Sequence, residues 1–195
     1  MLRYDPTTAL IVVDVQNDFA DPAGSLSVRE GHLIVPVVNA EISKAVAGGT
    51  SVLYTQDWHP EHTPHFAQDG GIWPVHCVQE TWGAAFHPDL DVESGQVVRK
   101  GVDGRDGYSA FSVRDPESGE VDDTVLHEML QADGTERLVI CGLATDYCVL
   151  ETVLDARMRG YPVQVIGNGS RPVDREPGDG DRALARMRDA GADVV

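Results

Sequence analysis

A chain of 195 residues with 42% hydrophobic content is long enough to bury one substantial core and short for two full-sized domains, so residues 1–195 are read as a single domain. Against 32 Asp and Glu stand only 15 Lys and Arg, and the net charge of −17 disfavours a nucleic-acid backbone or an anionic membrane surface as a partner. The acid is spread along the chain rather than gathered in a tail, which is the pattern of a solvated surface.

The opening Met1-Leu2-Arg3-Tyr4-Asp5-Pro6 runs into a strand-like segment with no apolar stretch and cleavage signal, and no apolar run approaches the length that crosses a bilayer. Cys77, Cys141 and Cys148 are an odd set without a CxxC pair, which fits reduced thiols. A soluble, cytoplasmic protein is expected.

Residues 8–15 form a continuous β-branched run, as expected of a central strand covered on both faces. Apolar residues at helical spacing over 33–46, closed by Gly48-Gly49, predict a helix, and 51–56 predict a second buried strand. The alternation continues with a strand at 96–100, a helix at 122–131, a strand at 136–143, a helix at 146–159, a strand at 162–166, a helix at 179–190 and a short closing strand at 192–195. This order predicts a doubly wound, mainly parallel α/β sheet flanked by helices, with ligands bound outside the carboxyl ends of the strands. Residues 58–91 and 101–119 resist assignment and read as functional loops, whereas 170–180 read as a mobile surface loop.

Candidate reactive residues sit where that architecture places them. Asp14 stands inside a hydrophobic run at the end of the first strand, as either a catalytic carboxylate or a buried structural one. Lys100 ends another apolar strand, and beside Asp14 it would hold that carboxylate ionised. Cys148 follows the 136–143 strand where the next helix begins, a position whose free amides and helix dipole favour a thiolate. Cys141 and Cys77 read as packing residues. Four of the seven histidines, His59, His62, His65 and His76, lie in one loop that starts with Asp57 at a strand's carboxyl end. Asp57 and His59, two apart on extended backbone, project to one side, and mixed carboxylate and imidazole donors suit Fe, Mn or Zn. His59-Pro60-Glu61 lacks the P-C-x-x-C partner of a zinc deaminase, and neither HExxH, GxSxG nor GxGxxG occurs.

Val13-Asp14-Val15-Gln16-Asn17-Asp18-Phe19, Asp57-Trp58-His59, Trp73-Pro74-Val75-His76-Cys77, Lys100-Gly101 and Gly142-Leu143-Ala144-Thr145-Asp146-Tyr147-Cys148 together resemble, in order and spacing, the motif series of nicotinamidases within the isochorismatase-like hydrolases. The resemblance implies the isochorismatase-like three-layer fold and a triad of Asp14, Lys100 and Cys148. It implies an oxyanion hole from the amides of Ala144 and Cys148, with a non-proline cis peptide before Ala144. One divalent ion (Fe, Zn or Mn) would be held by Asp57, His59 and His76, with His65 as a ligand in some relatives. Phe19, Trp73 and Tyr108 would line a pyridine pocket. The activity so implied is hydrolysis of nicotinamide, or of an analogue such as pyrazinamide, through a cysteine thioester. A different small amide, or a non-catalytic role for the fold, stays open, as does a homo-oligomer. Tyr147 and Asn168 depart from the residues common in relatives, and the stretch Asp103-Gly104-Arg105-Asp106 is expected to alter the pocket rim.

Overall fold

A computed structural model describes residues 4–195, so the first three residues of the opening stretch read above lie outside the described residues. Six strands form one parallel sheet: β1 (Thr8–Val13), β2 (Ser51–Asp57), β3 (Gln96–Lys100), β6 (Arg137–Leu143), β7 (Val163–Arg171) and β8 (Asp193–Val194), ordered β3-β2-β1-β6-β7-β8. The chain builds outward from β1 to β3, returns to the other side of β1, and builds outward again to β8. The winding therefore reverses between β1 and β6. Two short strands, β4 (Ser112–Arg114) and β5 (Val121–Asp123), pair as a separate antiparallel hairpin.

Alternate residues of β1 serve two cores, which is why that strand is apolar throughout. After the one-turn α1 (Asn17–Ala20) comes α2 (Val35–Ala47), whose Val38 and Ile42 pack with Leu10 and Val12. Ala9, Ile11 and Val13 face the opposite side, where α3 (Leu126–Ala132), α4 (Leu150–Met158) and α5 (Asp179–Asp189) supply Leu126, Leu130, Val153, Ala183 and Met187. The doubly wound parallel sheet flanked by helices is the architecture expected. No helix among the described residues is long and apolar enough to cross a membrane.

The differences from expectation lie at element ends. β1 stops at Val13 because Asp14 turns the chain at φ +48°. Residues 121–123 form β5 rather than the start of a helix, because they pair with β4. The 146–159 segment opens as a single π turn, Thr145–Val149, before α4. β7 runs on to Arg171 past a register shift opposite Ile140 and Gly142, which takes Ser170 out of the predicted loop and into a 2.5 Å hydrogen bond with Thr145.

Candidate active site

Lys100, the last residue of β3, is fully buried (0% exposed), an arrangement that costs several kcal/mol unless opposite charges compensate. Its Nζ donates to Asp14 Oδ2 at 2.8 Å, Asp57 Oδ1 at 2.6 Å and the Gly107 carbonyl at 2.5 Å. Parallel pairing sets this meeting, because β1, β2 and β3 lie side by side and Asp57 is the register partner of Lys100. Burial works against the ammonium, yet the two carboxylates overcome it and hold its pKa well above the usual lysine range.

The same cation divides the two acids. Burial pushes the Asp14 carboxyl up to about 6, with Lys100 opposing and the Asp57 charge adding to the rise. Burial also works to raise Asp57, but Lys100, with His59 and His76 nearby, outweighs it and keeps Asp57 ionised well below the usual carboxylate range. Two carboxylates pushed apart in this way hold different jobs: one stays charged, and the other is poised to exchange a proton near neutrality. Thr55, on β2, fixes Asp14 further, donating from its hydroxyl to Oδ1 at 2.6 Å and accepting the Asp14 amide at 3.2 Å.

Cys148 reaches the same point from β6. Gly142 makes this approach feasible, with φ +118° and a virtual Cβ only 2.1 Å from the Val13 carbonyl oxygen, a space no side chain fits. The Leu143–Ala144 peptide is cis, and the chain then enters the π turn that carries Cys148. Its Sγ is 3.9 Å from Lys100 Nζ and clusters with the carboxylates of Asp14 and Asp57. Its surroundings work against the thiolate expected from the helix start. Burial pushes the Cys148 thiol well above the usual cysteine range, more than Lys100 lowers it, and its hydrogen bond to Asp14 adds to the rise. The sulfur therefore lies beside the Asp14 carboxylate in a setting that favours the thiol.

Local backbone pairing in the 58–91 loop gathers the imidazoles. The His59 amide donates to Cys77 and its carbonyl accepts from Gln79, which sets His76 beside His59, while Ala67 and Trp73 join across the His65 turn. His59, His65 and His76 converge closely enough to share one ion, and His62 instead meets Asp69 at the surface. His65 Nδ1 is bound by Asp106 at 2.6 Å and His76 Nδ1 by the Pro74 carbonyl at 2.8 Å, which leaves Nε2 of each as the donor atom. Asp57 borders the trio, its Oδ2 3.8 Å from His59 Nε2, while its other oxygen serves Lys100. Burial lowers the His76 pKa to about 4, so that ring is neutral at pH 7, as a metal donor must be. Three buried imidazoles beside an ionised carboxylate fit a divalent transition ion.

One cavity joins these groups. Asp57, His59, His65, His76, Ala144 and Cys148 line it together with Phe19, Trp73 and Tyr108. Trp73 Nε1 donates to Tyr108 Oη at 2.8 Å, and Trp73 stands edge-on to Tyr147 at 4.9 Å. Sequence reasoning missed Leu26 and Val173 in this wall. Val173 belongs to the segment read as a mobile loop, yet that segment is tied down: the Asp146 carboxylate accepts the amides of Val173 at 2.8 Å and Asp174 at 2.9 Å, and Arg175 lies over the Trp73 ring. No sequence pattern marks Val173, whereas an aspartate at a helix start is a recognisable amide acceptor.

Comparison with known proteins identifies the family. The chain matches the Isochorismatase domain over residues 8–195. It is 39% identical to a nicotinamidase of Escherichia coli (strain K12), across 96% of this chain and 93% of that one. Its fold superposes on a pyrazinamidase of Pyrococcus horikoshii in complex with zinc with a TM-score of 0.86 and 40% identity, covering 97% and 99% of the two chains. It also superposes on PnC1 from L. infantum in complex with nicotinate with a TM-score of 0.90 and 35% identity, covering 100% and 95%. A likeness that covers nearly the whole of both chains is a family relationship, and the chain belongs to the isochorismatase-domain family, within its nicotinamidase and pyrazinamidase group.

Proposed function

We propose that this chain is an amidohydrolase that converts nicotinamide to nicotinate and ammonia through a thioester on Cys148. The observation that carries this reading is that Cys148 lines the same cavity as His59, His65 and His76, with the buried Asp14 and Lys100 packed against its sulfur. Asp14 takes the thiol proton as Sγ bonds to the carboxamide carbon, and the C=O electrons move onto oxygen. The amides of Ala144 and Cys148 are assigned to that oxyanion, a contribution of about 3 kcal/mol per donor. On collapse the C–N bond breaks and Asp14 returns the proton to departing ammonia. Water then attacks the thioester, Asp14 removes its proton, and cleavage of the C–S bond gives the carboxylic acid while the thiol is reprotonated. Lys100 holds both carboxylates in place and offsets their charge throughout.

Asp57, His59, His76 and His65 would hold one Fe, Zn or Mn ion. When bound, the ion supplies a Lewis-acid contact for the pyridine nitrogen, which orients the ring beside the sulfur. Phe19, Trp73 and Tyr108 are assigned to the ring's flat faces and edge. Ammonia release from nicotinamide by the wild type, Cys148→Ala and Asp14→Asn tests the proposal. Cys148→Ala is expected to abolish turnover and Asp14→Asn to slow it by about 10²–10⁴; equal rates in all three end the reading.

A further inference from the structure

His65 differs from the other two clustered histidines in how it is steadied. His76 leans on a carbonyl two residues away, whereas His65 Nδ1 meets a carboxylate 41 residues further along, Asp106, at 2.6 Å. An ionised carboxylate accepts only from N–H, so this contact places the ring proton on Nδ1 and turns the Nε2 lone pair toward His59 and His76. It also makes the imidazole a stronger donor than a carbonyl partner does.

Asp106 is itself held in place. Its amide and carbonyl exchange 2.8 Å hydrogen bonds with the backbone of Arg114 at the end of β4. Two residues earlier, the Gly104 carbonyl accepts the Thr63 hydroxyl at 2.6 Å, and the same hydroxyl accepts the His65 amide at 3.2 Å. The next residue after Asp106 is Gly107, whose carbonyl takes the Lys100 ammonium. One loop thus reaches both halves of the site with adjacent residues.

We propose that Asp106 is a positioning residue that makes His65 a metal donor and sets how tightly the imidazole cluster holds its ion. This rests on the metal site proposed above. The His65 ring is almost fully buried and the Asp106 carboxylate only partly exposed, so solvent screens the pair less than it does an exposed ion pair. Outer partners of this kind change metal affinity by about 10–100-fold when removed.

The test measures zinc dissociation constants by competition with a chromophoric chelator, and the visible spectrum of the cobalt-loaded protein, for the wild type, Asp106→Ala, Asp106→Asn, His65→Ala and the double variant His65→Ala/Asp106→Ala. Asp106→Ala is expected to weaken zinc about 10–100-fold and alter the cobalt bands. Asp106→Asn, whose amide oxygen still accepts the Nδ1 proton without the charge, falls between it and the wild type, and it carries the comparison if the alanine variant does not fold. Because Asp106 acts through His65, the double variant binds no more weakly than His65→Ala alone. Zinc affinity within twofold of wild type in Asp106→Ala, or losses that simply add in the double variant, overturns the inference while the metal reading stands. A wild-type chain that takes up neither ion ends both. Neither readout depends on nicotinamide turnover, so failure of the amidase reading shows separately.

Discussion

Lys100 organises the site by asymmetry. A single ammonium shared between two buried carboxylates keeps Asp57 firmly charged, while burial still lifts Asp14 to about 6. Since Asp14 must be ionised to take the thiol proton and its pKa is raised to about 6, kcat/KM for nicotinamide is expected to fall as pH drops through about 6. A pH-rate profile measures this. An acid limb near the ordinary carboxylate value would show that the burial of Asp14 does not govern catalysis. At this scale Asp14, Lys100 and Cys148 were legible because each lies at or just beyond a strand's carboxyl end, where the parallel architecture puts reacting groups. Thr55 and Asp106 were not, because each acts on a partner 41 residues distant and nothing in a linear pattern pairs them.

Among the elements, β1, β2 and β6 were readable because burial on both faces demands unbroken apolar runs. β5 was not, since all three of its residues are exposed and its acidic side chains give no strand signal. Asp122 and Asp123 instead form ion pairs with Arg105 and Arg159. The 172–178 segment shows a more instructive miss. Its proline and charged residues suggest a free loop, but a carboxylate within the π turn, Asp146, collects two of its amides and draws Val173 into the pocket wall. Asp146→Ala removes both hydrogen bonds, each to a charged acceptor and worth about 1.5–3 kcal/mol. Amide hydrogen exchange at Val173 and Asp174 is therefore expected to accelerate by at least tenfold, with the β1 amides unchanged. Unchanged protection at those two amides would mean that packing, rather than Asp146, holds the segment.

For the molecule as a whole, a net charge of −17 on 195 residues sets a background of self-repulsion. Raising ionic strength from about 0.01 M to about 1 M shortens the screening length from about 30 Å to about 3 Å. The urea midpoint is expected to rise over that range with little change in slope, and a falling midpoint would show that exposed ion pairs outweigh the repulsion. The strand order carries one more consequence. Because β6 sits directly against β1 in the centre of the sheet, the middle of the molecule is finished by a segment that leaves the ribosome long after its neighbour. Until then the acids after the first strand and in the second, and the lysine of the third, lack the Cys148 sulfur, and one flank of β1 stays uncovered. On the amidase reading, turnover therefore reports that the whole sheet has closed, and a chain cut short before residue 137 carries Asp14, Asp57 and Lys100 without Cys148.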